Sequence, residues 1–368
     1  MIKIIYDYQI FSRSKYGGVS RYLCEIATRI ARTENFDVKV LAFAYISEYL
    51  RHNASEIVIG CPVPALPKTS KIISDFNFKF SREWLKKNPP DIVHETYYSQ
   101  RTITPSRTKT VITVYDMLHE KLISLFPEGK NHPLIKAKHI AIKRADHIIC
   151  ISENTKKDLL EILNIDPRKI SVIYLGYSLN CKKNKIGQPF YSFPFILYVG
   201  YRGKYKNFER LLQAYSSSKK LKKEIKLVCF GGGSFSKEEK KIIHELKISE
   251  DKVIQVSGND DLLANLYNYA SAFVYPSLYE GFGLPLLEAM SFRCPVVCSR
   301  ISSIPEIAGD AAEFFNPYDI HSMSNALEKV VYSQERTEML INLGLERIQK
   351  FSWEKCVHKT CLVYSSLN

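Results

Sequence analysis

The 368-residue sequence predicts an α/β protein built from two doubly wound, Rossmann-like domains. Three observations carry this expectation. Short buried-strand patterns alternate with helical stretches along the chain, which is the pattern of a parallel sheet covered on both faces. The alternation is interrupted once, by an aperiodic stretch at 177–193 containing Lys, Asn, Ser and Pro. The length exceeds one ordinary core and fits two of roughly 170 residues each.

In the first half, strand patterns fall at 2–7, 38–43, 57–59, 92–95, 110–115, 147–151 and 172–175. Helical stretches at 20–32, 135–144 and 154–164 lie between them. In the second half, strands at 195–200, 226–230, 253–256, 272–275 and 295–299 alternate with helices at 207–217, 237–246, 262–270 and 284–292. The end reads as a helix over 340–350 and one more from Phe351 onward. No internal repeat or low-complexity tract is present. Two such halves place a ligand between them, at the carboxyl ends of their strands.

Composition narrows the function classes. An apolar content of 45% and a charged content of 24% are ordinary for a soluble globular protein. Nothing approaches the ~18 consecutive apolar residues of a membrane span. Residues 1–7 form a buried-strand pattern too brief and wrongly flanked for a secretory leader, so a cytoplasmic location is expected. Nine scattered cysteines without a Cys-x-x-Cys pair fit reduced thiols better than disulfides or zinc.

The net charge of +14 is uneven, with 27 Lys and Arg against 18 Asp and Glu in residues 1–180 and 25 against 20 in the remainder. A basic first half suggests an anionic partner, either a membrane surface or a phosphorylated substrate. Nucleic acid is disfavoured because the basic residues are diffuse and no nucleic-acid motif appears. Segment 72–87 mixes Ile72, Phe76, Phe80 and Trp84 with Lys79, Arg82, Lys86 and Lys87. It reads either as a basic amphipathic helix lying on anionic lipid or as a helix packing its aromatics inward.

The most informative motif is Ser277-Leu-Tyr-Glu-Gly-Phe-Gly-Leu-Pro-Leu-Leu-Glu-Ala-Met290, with Glu280 and Glu288 eight positions apart. Pro276, Gly281 and Gly283 break the preceding strand, and Pro285 suits the first turn of the helix that follows. Both carboxylates then lie close to a helix N-terminus, whose N–H groups favour an anion. This arrangement suits a ligand with one diphosphate and several hydroxyls, such as a nucleotide-sugar; the plain alternative is two surface glutamates and a glycine turn. In the loop after strand 195–200, Arg202 can hold phosphate oxygens in bidentate fashion and Lys206 can act as a point charge. The plain alternative there is a solvated basic loop.

Taken together, these segments resemble the retaining glycosyltransferases of family 4, which have the GT-B fold. The resemblance rests on Tyr198-Val-Gly-Tyr-Arg-Gly-Lys-Tyr-Lys-Asn207, the Glu280–Glu288 segment and Ile304-Pro-Glu-Ile-Ala-Gly-Asp310. In the first half, Tyr16-Gly-Gly-Val-Ser-Arg-Tyr22, Thr113-Val-Tyr-Asp-Met117 and Ala145-Asp-His-Ile-Ile-Cys-Ile-Ser-Glu-Asn-Thr-Lys156 also match, more loosely. The resemblance implies two Rossmann-like domains facing each other across a cleft, with a C-terminal helix crossing back to the N-terminal domain. It divides the chain into an acceptor-binding domain over 1–178 plus 351–368, a linker over 179–193 and a nucleotide-sugar-binding domain over 194–350.

The same resemblance implies roles for individual residues. Arg202 and Lys206 would hold the donor diphosphate and offset charge on the leaving nucleotide. Phe282, Gly283 and Leu284 would offer backbone N–H groups. Glu280 would bind hydroxyls of the transferred sugar and Glu288 those of the ribose. Gly17 and Gly18 would let the backbone approach the diphosphate. Tyr115 stands where the family commonly has a His, so Asp116 becomes the polar group expected near the anomeric centre, with His119 next. A helix N-cap is the competing reading of Asp116. His94 is either an acceptor contact or a satisfied structural histidine. No cofactor and no metal are implied, since an Asp-x-Asp motif is absent and Asn259-Asp-Asp261 reads as a helix start.

The implied reaction is retaining transfer of a hexose, GDP-mannose being favoured over UDP-sugars as donor, to a surface polysaccharide or lipid-linked glycan precursor. A peripheral contact with anionic membrane would suit the basic first half. A nucleotide-sugar epimerase and a non-catalytic sugar-nucleotide-binding partner are the alternatives, and Arg202, Lys206, Glu280 and Glu288 together weigh against the second.

Overall fold

The computed structural model describes residues 1–13, 15–67, 69–177 and 187–368. The chain divides into two compact units, one of Met1–Gly176 with Trp353–Asn368 and the other of Tyr177–Ser352.

The first unit carries a seven-stranded sheet of Ile2–Tyr6 (β1), Phe36–Tyr45 (β2), Val58–Pro62 (β3), Ile92–Glu95 (β4), Lys109–Val114 (β5), His147–Cys150 (β6) and Ile170–Val172 (β7). Its order is β3-β2-β1-β4-β5-β6-β7, and every pairing is parallel. The second unit holds Phe195–Val199 (β8), Lys226–Phe230 (β9), Val253–Val256 (β10), Ala272–Tyr275 (β11), Val296–Ser299 (β12) and Ala312–Phe315 (β13). Its order is β10-β9-β8-β11-β12-β13, again all parallel. Strands such as β4, β11 and β12 are buried at every position, as strands covered on both faces must be. In each sheet the order reverses beside the first strand, between β1 and β4 and between β8 and β11. Loops at the carboxyl ends of those pairs diverge and leave room for a ligand.

Sequence patterning missed β13 and helix Ile320–Val331. The strand is an edge strand whose four residues, Ala-Glu-Phe-Phe, include a charge and are only partly buried, so it lacks the apolar run that marks strands such as 272–275. Of the expected linker, residues 179–186 lie outside the described residues. Its later part runs along helix Asp260–Tyr269, where Tyr269 Oη donates to the Gly187 carbonyl (2.9 Å) and Asn265 Nδ2 to that of Gln188 (3.0 Å). The eight described cysteines are free, and seven are partly or wholly buried.

Helix Ser70–Lys87 turns Asn77, Ser81 and Leu85 inward. Asn77 clamps the end of β2 by accepting from the Ala44 N–H (3.1 Å) and donating to its carbonyl (2.7 Å). The inward-aromatic reading therefore fails for Ile72, Phe76 and Phe80, which are 70%, 44% and 46% exposed.

The C-terminal helix Trp353–Leu367 packs into the first unit through its aromatic residues. Tyr364 is fully buried, and its hydroxyl lies 2.7 Å from Tyr6 Oη and 2.6 Å from His94 Nδ1. His94 Nε2 lies 2.9 Å from Thr113 Oγ1, and its ring stacks on Tyr6 with centroids 5.0 Å apart. Both ring nitrogens are thus used inside the protein. This corrects the acceptor-contact reading of His94: a wholly buried histidine with two internal partners has nothing to offer a ligand.

Burial pushes His94 down to about 3, from an ordinary 6.5. A histidine depressed in this way binds its proton more readily in the unfolded chain. Its contribution to stability is complete above about pH 6.5 and is lost as pH falls from there toward 3. Unfolding free energy of the native protein is expected to fall across that window by up to about 1.4 kcal/mol per pH unit more steeply than that of His94→Gln. Denaturant titrations at pH 7, 6, 5 and 4 check this, and parallel slopes for the two proteins would contradict it.

Candidate active site

The carboxyl ends of β8 and β11 bring two candidate residues together. The loop after β8 runs through Gly200 and Gly203 into a short 3₁₀ turn, Lys204–Lys206, and Asn207 in left-handed conformation opens helix Phe208–Ser217. The loop after β11 runs from Pro276 to Gly283, which adopts φ 115° and opens helix Leu284–Ser291. A side chain is strongly disfavoured at that φ, which explains the glycine. The Leu278 N–H donates to the Tyr205 carbonyl (2.7 Å) and ties the two loops.

Across this junction Lys206 Nζ meets Glu280 Oε1 at 2.6 Å. The two side chains are only 16% and 14% exposed, so the pair is poorly screened by water. The ammonium also lies over the rings of Tyr205 and Tyr275, 5.1 and 5.3 Å from their centroids. Burial and then the Glu280 carboxylate push the Tyr275 phenol well above its ordinary range, which keeps it neutral. The Glu280 loop is held from behind by two serines. Ser302, itself left-handed at φ 51°, accepts from the Glu280 N–H (2.9 Å). Ser303 Oγ donates to the carbonyls of Glu280 and Phe282 (2.8 and 3.0 Å). Phe282 packs its ring on Phe351, so any contact with a ligand must come from its backbone. No side chain caps the helix that starts at Leu284. Its first N–H groups point out of the helix end and attract an anion.

Glu288 lies within that helix, mostly buried, and faces Tyr267 of helix Asp260–Tyr269, whose phenol is raised by burial and then by the Glu288 charge. Asn259 caps that second helix by accepting from the Leu262 N–H (3.1 Å), as the sequence indicated for Asn259-Asp-Asp261.

Arg202 does not join Lys206 and Glu280. Its Nε donates to Glu239 Oε1 (2.6 Å), Nη1 to the Gly231 carbonyl (3.0 Å), and Nη2 to those of Gly233 and Ser234 (2.9 and 3.2 Å). The side chain is 4% exposed and lies over the ring of Phe235. Every guanidinium nitrogen is engaged within the second unit, so a bidentate phosphate contact from Arg202 would require it to exchange these partners. The reason is a carboxylate 37 positions away in sequence. Glu239 closes a capping box with Ser236 at the start of helix Lys237–Glu245 and draws the guanidinium onto the loop after β9.

Arg202 therefore acts as a positioning residue for that loop, Gly231-Gly-Gly-Ser234, which the sequence reading passed over. Three consecutive glycines directly after a strand were the available signal. All three have positive φ (81°, 70° and 73°), and a Cβ on Gly232 would come within 2.6 Å of Arg202 Nη1 and 2.9 Å of the Gly200 carbonyl oxygen.

In the first unit the candidates separate. Gly17 and Gly18 stand exposed at the start of helix Gly18–Ile30, which no side chain caps, and a Cβ on Gly18 would meet nothing within 4 Å. At the reversal between β1 and β4 a buried carboxylate missed from sequence, Asp7, accepts from the Thr96 N–H (2.9 Å) and Gln9 Nε2 (2.6 Å) and holds the two loops together. Tyr115 is buried among Tyr22, Tyr97 and Tyr98, and its hydroxyl donates to the Thr96 carbonyl (3.0 Å). Its expected contact with the donor sugar is corrected accordingly: the side chain is part of an aromatic core.

Asp116 accepts from the Leu118 N–H (3.0 Å), the capping role weighed for it, yet its side chain remains 36% exposed. Lys138, wholly buried, lies 3.6 Å from Asp116 Oδ1 and donates to the Asp116 carbonyl (3.0 Å) and to Glu120 Oε2 (2.9 Å). His119 stacks between Phe126 and His132, with centroids 4.4 and 4.5 Å away. Burial, and then Lys138, lower its pKa and favour the neutral ring. Among the described residues no group of three or more His, Cys, Asp or Glu is arranged to hold a metal ion.

Comparison with known proteins agrees with this architecture. Residues 183–347 match the family model "Glycosyl transferases group 1", and residues 16–180 match "Glycosyltransferase Family 4". The chain is 28% identical over 307 residues to the O-antigen chain mannosyltransferase B of Escherichia coli, covering 77% of each protein. It is 31% identical over 239 residues to the serotype-specific mannosyltransferase WbdA of the same organism. That match takes in 59% of this chain but only 28% of the longer relative. Among solved structures, the sucrose-phosphate synthase of Thermosynechococcus elongatus superposes with a TM-score of 0.77 at 19% identity, over 100% of this chain and 99% of that one. At that identity the likeness is one of fold.

Because Arg202 positions the glycine loop, removing it leaves Glu239 Oε1 without its partner and loosens residues 231–234. Arg202→Ala is expected to cost about 3 kcal/mol in unfolding free energy, as loss of one member of a buried pair does. Glu239→Ala should cost a comparable amount, and the double variant should cost clearly less than the two combined. Additive costs in a denaturant double-mutant cycle would rule out the pairing.

Proposed function

The chain belongs to the group 1 and family 4 glycosyltransferases, and from that premise we propose that it transfers a hexosyl group, with retention, from a nucleotide-diphosphate sugar to a hydroxyl of a surface polysaccharide or lipid-linked glycan precursor. The observation that carries this reading is the Lys206–Glu280 pair, held where the strand order of the second sheet reverses and beside an uncapped helix start. The pair acts as a stand-in for the donor. When the donor enters, Lys206 exchanges the Glu280 carboxylate for the diphosphate, and Glu280 turns to hydroxyls of the sugar. The backbone of Phe282, Gly283 and Leu284 meets the donor with N–H groups, and Glu288 serves the ribose. Gly17 and Gly18 admit the diphosphate close to the backbone of the first unit. Asp116 serves as the polar group for the anomeric centre in this scheme, and His119 is the second candidate for that role.

In the step itself the bond from the anomeric carbon to the phosphate oxygen breaks, and a bond to the acceptor oxygen forms on the same face. The acceptor proton passes to the departing phosphate. Negative charge grows on the nucleotide as that bond lengthens, and a fixed ammonium beside it stabilises the transition state more than the ground state. No metal ion is required in this scheme. Mannose is the favoured sugar and GDP-mannose the favoured donor, because the relatives of the chain are named as mannosyltransferases.

The protein works on the cytoplasmic side. Among its described residues no helix is long and apolar enough to cross a membrane. A peripheral contact with anionic lipid is supported by helix Ser70–Lys87, where exposed Ile72, Phe76 and Phe80 accompany exposed Lys71, Lys79, Lys86 and Lys87.

Lys206→Ala should lower kcat by about 10²–10³-fold, the effect of removing one group that stabilises developing charge. Near-normal turnover would refute the phosphate role. Activity should survive EDTA, and GDP-mannose should raise the melting temperature more than UDP- or dTDP-sugars do. A strict metal requirement, or stabilisation by a UDP-sugar alone, would overturn those two parts of the scheme.

A further inference from the structure

A buried hydroxyl of the second unit is left over by the site described above. Tyr267, on helix Asp260–Tyr269, is wholly buried. Its ring stacks on Phe292 with centroids 6.3 Å and planes 7° apart, and it meets Phe273 of β11 edge-on at 5.4 Å and 76°. Held by a strand on one side and a helix end on the other, the ring has one orientation, and the direction of its hydroxyl is set. Tyr267 Oη is nonetheless buried without a hydrogen-bond partner. Phenylalanine would fill the same space, and an unpaired buried hydroxyl is unfavourable, so packing alone does not account for the oxygen.

Phe292 locates the hydroxyl relative to Glu288. It lies four positions after Glu288, and its N–H donates to the Glu288 carbonyl (3.3 Å). The helical spacing therefore holds, and the two side chains share one side of helix Leu284–Ser291. A ring laid on Phe292 comes up beside Glu288, which is 9% exposed. Burial, and then the Glu288 charge, hold the phenol well above its ordinary range, so the hydroxyl keeps its proton and acts as a donor. A carboxylate has about four acceptor positions, so one bond to a phenol leaves room for further bonds to a ligand.

We propose that Tyr267 is a positioning residue for Glu288. Its hydroxyl donates to one carboxylate oxygen and turns the group so that both oxygens meet the vicinal hydroxyls of a nucleotide ribose. The carboxylate reaches the phenol by rotation about its own side-chain bonds, and the Tyr267 bond forms together with the ribose contacts. A charge-assisted bond of this kind is stronger than one between neutral groups, and it selects a single setting of an otherwise rotatable carboxylate. The inference rests on the nucleotide-sugar reading given above and adds to it the residue that orients the ribose. It leaves the diphosphate role of Lys206 as it stands.

Titration calorimetry on the whole protein tests this with GDP, UDP and the corresponding dideoxynucleoside diphosphates. The native protein should bind the better of the two ribonucleotides about tenfold more tightly than its dideoxy form, as loss of bonds to a charged group does. In Tyr267→Phe that preference should shrink to about threefold or less, through weaker binding of the ribonucleotide alone. Binding of the dideoxy form should match the native protein, and the melting temperature should be no lower, because the hydroxyl has no partner to lose. An undiminished preference in the variant overturns the proposal. So does an equal loss of affinity for both forms, which marks a packing defect. The native protein tests the underlying reading separately. If it binds nucleotide without distinguishing the dideoxy form, the ribose role of Glu288 fails and this inference with it, while the diphosphate role of Lys206 stands. If it binds neither nucleotide, the nucleotide-sugar reading itself fails.

Discussion

The parallel arrangement of both sheets is the constraint from which the site follows. Parallel strands need crossover helices, so every strand of a sheet ends at the same edge and every loop leaving that edge can contribute to one place. Where the strand order reverses, two neighbouring loops run apart and the edge opens. In the second unit those loops leave β8 and β11, and they carry Lys206 and Glu280. Nothing local in either loop selects this pairing across 74 positions of sequence. It results from β8 and β11 lying side by side, with Leu278 bonded to Tyr205 and the two serines after β12 holding the acidic loop at the right height.

A second theme is the division of polar residues between holding and presenting. Arg202, His94, Asp7 and Lys138 are almost completely shielded, and each is surrounded by internal partners. A buried charge or imidazole without partners is costly, so such groups are kept where they lock loops and helices in place. The His94–Tyr364–Tyr6 network does this for the C-terminal helix, which joins the first unit although nearly the whole second unit precedes it in the chain. Lys206 and Glu280 differ: they are paired with each other across two loops, and both side chains keep some exposure to solvent. The same distinction separates Asp116, one-third exposed, from its neighbour Tyr115, which is closed in by three other tyrosines.

The sequence alone determined the alternation of strands and helices, the glycine and proline punctuation around Glu280, and the motifs that resemble family 4. These are local properties: periodicity, turn chemistry and the order of residue types are present in the chain before it folds. Edge strand β13 escaped because its four residues include a charge and form no continuous apolar run, and Gly231–Gly233 escaped although its signal was visible. The tertiary structure alone decided which partners the several eligible basic and aromatic residues take. Arg202 and Lys206 occupy one loop and look equivalent on paper. Glu239 lies within reach of the first and Glu280 within reach of the second only after the strands have paired. A side chain's partners are chosen by proximity in space and by the need to satisfy every buried charge, and neither is written in the spacing of residues along the chain.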